Sequence, residues 1–361
     1  MILRAKAPLR ISFCGGGTDV SPYPEEKGGV VLSTTIDKYV YATLRTRDDA
    51  LLSLTSLDYD ISETHPAETE LPIDGSLDLL KGVVNHFRQV SLARSGARRG
   101  GHSVGFPSGF DLLVHTDAPP GSGLGASSTL VATLVGLFRE WLSEPLTNYE
   151  IAELTYRIER LDLKIAGGRQ DQYAATFGGF NFIEFFSDHT VVNPLRIRRE
   201  VVNELEYSML LCYTGGTRLS AHIVENQTRS YREGNPKVVH SLDRMKDLTF
   251  EMKSVLLRDR VQGFGELLHE AWIEKKNLDP AITSGQIDRL YEVARAAGAT
   301  GGKILGAGGG GYLLCFCPFD RKQAIARALE GEGGALVPFA LEERGLQTWS
   351  VPQENGEKSG P

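Results

Sequence analysis

Cysteine is scarce: four in 361 residues, at Cys14, Cys212, Cys315 and Cys317. They are too few and too irregularly spaced for a disulfide framework or a zinc site of two C-x-x-C pairs. All four sit in apolar, strand-like text, which reads as small buried hydrophobes in a reducing compartment. The eight histidines never form H-E-x-x-H, which removes support for a zinc hydrolase. His115, close to Asp117, reads as a strand-end residue rather than a base. Positive charge is also short: 39 Lys and Arg stand against 46 Asp and Glu, a net charge of -7. That balance argues against nucleic acid or an anionic membrane as partner, since both are held by net positive fields. No stretch approaches the roughly 18 unbroken apolar residues of a membrane span, and the first residues lack a signal peptide's apolar region. The expectation is a cytoplasmic protein with no membrane partner.

What is present is a hydrophobic content of 41%, enough for one large core or two ordinary ones, and domain sizes favour two domains sharing a cleft. Short β-branched and aromatic runs predict strands at Ile2 to Ala7, Ile11 to Cys14, Val30 to Ile36, Tyr39 to Arg45 and Leu51 to Leu54. Leu80, Val83, Val84 and Phe87 predict a helix over 77–92. Arg94 to Gly101 reads as a solvated basic turn. Gly109 to Val114 reads as a strand, and Leu130, Leu134, Leu137, Phe138 and Trp141 line a helix. Thr147 with Glu150 is a capping-box pattern opening a helix that runs past Glu159. Gly178-Gly179 turns into a strand, with Val191 to Arg196 as its partner. Beyond a boundary there, the pattern predicts a strand at Tyr207 to Tyr213 and helices over 220–230, 236–257, 259–277, 284–297 and 321–329, with a strand pair flanking the glycines at 306–311. Helices interleaved with antiparallel strands imply an α+β fold. The division is 1–196 and 197–351, with a polar tail at 352–361 expected to be disordered.

Three segments carry chemistry. In Pro119-Pro120-Gly121-Ser122-Gly123-Leu124-Gly125-Ala126-Ser127-Ser128, glycines let the backbone come close at positive φ, and the helix start offers unpaired N–H groups. This is a phosphate cradle. No Lys follows the glycines, so it is not a Walker A loop. The serines add hydroxyls that can reach Mg²⁺ held between phosphates. The second segment runs from Lys6 through Pro8 and Arg10 to Gly15-Gly16-Gly17-Thr18-Asp19. By itself Asp19 would be an ordinary turn carboxylate. The third, Gly306-Ala307-Gly308-Gly309-Gly310-Gly311, formally satisfies G-x-G-x-x-G, but Tyr312 to Phe316 reads as a strand where a dinucleotide fold needs a helix. Five glycines in six positions cost chain entropy, and they point to a ligand or another backbone coming very close.

These segments, in this order, resemble the three motifs of the GHMP kinases. The loop at 119–128 matches the second motif, with Ala126 where the family usually has a serine. Galactokinases carry Gly-Glu-His before their Thr-Asp. The Gly15-Gly16-Gly17 text here, with Gly168-Arg169-Gln170-Asp171-Gln172-Tyr173 and Tyr213-Thr-Gly-Gly-Thr-Arg-Leu-Ser220, is most similar to the branch acting on D-glycero-D-manno-heptose 7-phosphate. The resemblance implies a two-domain fold, a ribosomal protein S5 domain 2-like half followed by a ferredoxin-like half. It implies ATP and Mg²⁺ as cofactors, with Pro120 to Ser128 (Gly121, Ser122, Gly123, Leu124, Gly125, Ala126 and Ser127 between) gripping the phosphates. Ser127 and Glu159 would serve the metal, Asp171 would be the base, and Arg10 would support that carboxylate or polarise the acceptor oxygen. For Glu159, an ion pair with Arg157 or Arg160 is the structural alternative.

Gly16, Gly17, Thr18, Asp19, Gly308 and Gly309 would meet the sugar. A sugar that already carries a phosphate needs cations at its far end. Arg218 is the first candidate, then Lys275 and Lys276, with Arg169 as another; each is otherwise a surface cation. The implied reaction phosphorylates the anomeric hydroxyl to give the 1,7-bisphosphate, for nucleotide-activated heptose. Competing readings are a kinase of a free sugar such as fucose or galactose, and a non-catalytic sugar or ATP sensor on the same fold. A homodimer is left open.

Overall fold

The computed structural model describes residues 1–95, 105–119, 121–216 and 221–352. Pro120, Arg218 and the tail from 353 onward, all of which carry expectations from the sequence, lie outside the described residues. Two sheets organise the chain. In the larger, nine-stranded one the main order is Gln347–Ser350, Ile2–Cys14, Gly29–Arg47, Gly109–Thr116, Leu51–Ser56, Ile61–Pro66. All neighbours are antiparallel except Leu51–Ser56 against Gly109–Thr116. The second sheet is four antiparallel strands in the order Ala335–Leu336, Met209–Tyr213, Tyr312–Phe316, Gly301–Ile304.

The strands foreseen as Ile2 to Ala7 and Ile11 to Cys14 are one strand. Register shifts at Pro8/Arg10 and Ser12/Cys14 carry it past a proline that cannot donate to the ladder. Gly29–Arg47 is likewise continuous through Asp37 and Lys38. Tyr207 and Ser208 are not strand but the end of a helix, Arg199–Ser208. Its apolar stripe is narrow, since only Val201 and Leu205 of its hydrophobic residues are fully buried. The helix expected over 259–277 begins as a 3-10 turn at Val261–Gly263 and is α-helical over Phe264–Lys276.

The capping box forms as read: the Thr147 hydroxyl accepts from the Glu150 amide, and the Glu150 carboxylate accepts from the Thr147 amide at 2.8 Å. The helix continues past Glu159 as a π-helical segment, Arg157–Asp162, a wide winding often found at functional sites. The four cysteines are free and buried. His115 lies in the strand Gly109–Thr116 and stacks on Tyr41 at 4.7 Å.

The end of the chain returns to its beginning. Gln347–Ser350 pairs with Ile2–Cys14, and Leu341–Glu342 with Gly29–Arg47, so strands beyond residue 197 complete the first sheet. One buried cluster spans both halves, joining Leu9, Ile11 and Phe13 to Leu248, Phe264 and Leu314. The cleft between the halves therefore rests on a shared floor.

Candidate active site

The first strand supplies Arg10 just past its irregularity, and the main-chain amide of Arg10 donates to the Leu124 carbonyl at 3.1 Å. Its side chain is 3% exposed. Nη1 donates to the Gly123 carbonyl at 2.5 Å and Nε to Asp171 Oδ1 at 2.7 Å. Asp171 is in the first turn of Gln170–Phe177, and its Oδ2 faces Gly125, where an added Cβ would lie 3.2 Å away. One arginine thus braces the phosphate cradle and the carboxylate together.

The cradle needs its glycines. Gly121, Gly123 and Gly125 have φ of 73, 84 and 81°. A Cβ on Gly123 would come within 2.4 Å of the Leu305 carbonyl oxygen, so the two glycine-rich loops touch by backbone alone. The helix Ala126–Leu142 starts here with no side-chain cap, which leaves its first amides facing the cleft.

Glu159 is fully buried. Its carboxylate accepts from Ser127 Oγ at 2.7 Å, Ser128 Oγ at 2.6 Å and Gln172 Nε2 at 3.0 Å, and pairs with Arg160 Nη1 at 3.1 Å. The ion pair with Arg160 forms, but in a buried position rather than on a solvated face, and the same carboxylate sits against the serine hydroxyls at the cleft. Ser127 and Glu159 line that cleft as hard oxygen donors, the type Mg²⁺ prefers when phosphates and water complete its shell. Among the described residues no cluster of three or more His, Cys, Asp or Glu could hold a metal alone.

In the Gly15 to Asp19 turn, Asp19 is 1% exposed and accepts from the amides of Gly17 at 2.9 Å, Arg169 at 3.0 Å and Gln170 at 3.1 Å, with Gln170 Nε2 at 3.1 Å as well. Most of its acceptor capacity is spent tying the Gly15 to Asp19 turn to the Gly168 to Asp171 loop. The open acceptor is Gln170 Oε1, buried and without a partner. Gln170 was quoted within its motif but given no role. Gln227, on Ala221–Arg232, also lines the cleft and donates to the Gly17 carbonyl at 3.1 Å. It had no motif to mark it.

Arg10, Gly16, Gly17, Asp19, Gly121, Ser122, Gly123, Gly125, Ala126, Ser127, Ser128, Glu159, Asp171 and Gly308 line one cleft. Other residues expected at the site stand back from it. Leu124 is core, and the Thr18 hydroxyl donates to the carbonyls of Gly15 and Val30. The Gly309 amide donates to the Ile282 carbonyl. The Arg169 guanidinium is held by Glu25 and the Phe186 carbonyl and lies over Tyr156, which turns it from the cleft. Lys276 is on the surface, 3.7 Å from Asp288. Lys275 is buried in the cleft wall, and burial, then the charges of Lys303 and Arg10, push its ammonium well below the ordinary lysine range. No sequence pattern separates these two neighbours; one helical step of about 100° does.

A second hollow shares Val20, Arg160, Gly167 and Val224 with the cleft, and its lining also includes Lys164, Arg229 and Arg232 with Glu225 and Glu233.

Comparison with known proteins identifies the family. Residues 78–179 match the model for the GHMP kinases N terminal domain, and 252–335 the model for GHMP kinases C terminal. The chain is 36% identical to a D-glycero-alpha-D-manno-heptose 7-phosphate kinase of Campylobacter jejuni, over 97% of this chain and 99% of that one. A crystal structure of a D-glycero-D-manno-heptose 1-phosphate kinase from Bacteroides thetaiotaomicron superposes with a TM-score of 0.80 at 34% identity, covering 97% of this chain and 100% of that one. That of a putative sugar kinase from Campylobacter jejuni gives 0.77 at 35%, covering 97% and 98%. With a glycine cradle, a buried arginine–carboxylate pair and these relatives along its whole length, the chain belongs to the GHMP kinases, ATP-dependent phosphotransferases with a hydroxyl acceptor.

Proposed function

We propose that the protein transfers the γ-phosphoryl group of ATP to the anomeric hydroxyl of D-glycero-D-manno-heptose 7-phosphate, giving the 1,7-bisphosphate and ADP. The observation that carries this reading is the Asp171 carboxylate, fixed by Arg10 at 2.7 Å against the phosphate cradle. The acceptor oxygen forms a bond to the γ-phosphorus, the bond from that phosphorus to the β,γ-bridging oxygen breaks, and the hydroxyl proton passes to Asp171. Ser127 and Glu159 would hold Mg²⁺, which would neutralise phosphate charge. The amides at the start of Ala126–Leu142 orient the nucleotide's phosphates, and Arg10 keeps the base in register with them.

The sugar lies against Gly16, Gly17 and Gln170, whose open Oε1 accepts a hydroxyl proton. Its far phosphate reaches the second hollow, where Arg229 and Arg232 sit on one helix with Lys164 across from them. This replaces Arg169 and Lys276, which the fold engages elsewhere. The name of the Campylobacter relative supports a 7-phosphate substrate, while the Bacteroides structure carries the name of a heptose 1-phosphate kinase. The experiment is a panel of heptose 7-phosphate, heptose 1-phosphate, fucose and galactose with ATP and Mg²⁺, following ADP release and locating the new phosphate by ³¹P NMR. Faster turnover of a free sugar than of either heptose phosphate overturns the reading.

A further inference from the structure

We infer that Lys275 is a further catalytic residue, an ammonium that contacts the phosphoryl group in transfer where the two glycine-rich loops meet the sugar turn. The inference rests on the phosphoryl-transfer reading above and adds a residue to it.

Lys275 is the penultimate residue of Phe264–Lys276 and is 5% exposed. Its Nζ donates to the Gly306 carbonyl, and Gly306 lies against Gly123 so closely that a Cβ there would be 2.5 Å from the Gly123 Cα. Asp171 faces Gly125 of the same cradle. Asp171 therefore stands against one glycine-rich loop and the lysine against the other, where the two loops touch, and both line the cleft with Arg10 and Asp19. The charged and titratable groups acting on Lys275 are Arg10, Cys14 and Asp19 from the first strand and its turn, and Lys303 from Gly301–Ile304. Among the described residues no carboxylate is in ion-pair contact with it, and its recorded partner is a neutral carbonyl.

A buried ammonium without a counter-ion destabilises a fold. Its burial beside two further cations is unfavourable in the empty cleft and is relieved by an anion. The anion the cradle admits is the phosphate chain, and the developing charge in phosphoryl transfer lies on the equatorial oxygens of the moving group. A fixed donor at that point stabilises the transition state without reorganising. Lys275 keeps its proton throughout the step; the acceptor's proton goes to Asp171. Burial and like charge hold the Lys275 ammonium below its ordinary range, and a phosphate beside it shifts it back up.

The test uses the full-length protein with Lys275→Met, and Lys275→Gln in parallel in case the first does not fold. Three readouts are taken. With ATP and the accepted sugar, kcat should fall by about a hundredfold or more while the sugar KM stays within about threefold. The melting temperature should stay level or rise, because an unpaired buried charge has gone. A structural lysine would instead lower it. Titration with a non-hydrolysable ATP analogue and Mg²⁺, in pairs of buffers of different ionisation enthalpy from pH 6 to 10, should show a proton uptake by the wild type at some pH that the variant lacks. A kcat within about threefold of wild type, or activity lost together with melting temperature, overturns the proposal. If the wild type turns over no sugar in the panel, the substrate reading fails on its own. The proton titration then decides for Lys275, and uptake unchanged in the variant overturns it.

Discussion

Arg10 Nε and Asp171 Oδ1 lie 2.7 Å apart although 161 positions separate them in the chain. Because Arg10 also donates to the Gly123 carbonyl, the Asp171 carboxylate and the 121–125 loop cannot shift independently. Asp171→Asn should keep the Arg10 contact through the amide oxygen but lose the proton acceptor. The expected result is a kcat lower by about 10²–10⁴ with nucleotide affinity and melting temperature little changed, measured by steady-state kinetics, calorimetry and thermal denaturation.

Glu159 gathers two serine hydroxyls, Gln172 and Arg160 in a fully buried position. Glu159→Gln should raise the Mg²⁺ concentration for half-maximal activity by about tenfold or more. It should also cost about 1–3 kcal/mol of stability, since an amide cannot accept from all these donors. Magnesium titration of the activity and denaturant unfolding check the two effects separately.

For Asp19 the fold and the substrate are coupled. Asp19→Asn turns an N–H group toward amides that already donate, those of Gly17, Arg169 and Gln170. Stability should fall by about 2–3 kcal/mol and the sugar KM should rise. Gln170→Leu removes the open Oε1 together with the Nε2 donor to Asp19, so the KM should rise with a smaller fall in melting temperature than in Asp19→Asn. Equal loss of stability in both variants would contradict this division.

The second hollow sets a test of substrate charge. Replacing Arg229 and Arg232 together by Ala should raise the KM for a phosphorylated sugar by about tenfold or more and leave that for an unphosphorylated one unchanged. Initial-rate kinetics at two salt concentrations would show it, with the wild-type preference weakening as salt rises.

Lys303 offers a prediction about pH. It is buried, and its Nζ donates to the Ser12 carbonyl at 2.8 Å. Burial pushes its ammonium down to about 8, the Cys14 sulfur opposing the shift and the Arg10 charge adding to it. Below pH 8 both folded and unfolded chains carry the charge, and the folded state bears the whole cost. From there to 10.5, the ordinary lysine value, the unfolded chain binds more protons, so this group's penalty shrinks as pH rises. Lys303→Met should therefore raise the melting temperature most at pH 7, with the gain fading towards pH 10. A gain that is constant with pH would show that the charge is not responsible.

Much of the fold was legible where the signal is local. The capping box at Thr147, the helix Pro236–Leu257 and the strand pair around the glycine run follow from residues within a few positions of one another. The fused first strand and the helix Arg199–Ser208 were not legible. Proline punctuates the one, and the other has only a narrow apolar stripe. At the site, motif residues with backbone roles were readable, and partners chosen by packing were not. Arg169 looked like a cation for a substrate, yet Glu25 holds it. Lys275 looked like its neighbour Lys276, yet one is buried in the cleft and the other is at the surface.

The amino-acid sequence by itself determined the positive-φ cradle of Gly121, Gly123 and Gly125, the helix starts and the periodic apolar faces, because steric freedom and hydrogen-bond capacity belong to each residue type. Only the tertiary structure decided that Arg10 meets Asp171, that Gln347–Ser350 closes the sheet opened by Ile2–Cys14, and which lysine is buried in the cleft wall. Those outcomes depend on burial and on contacts between segments far apart in the chain, and the packing of the buried clusters selects them.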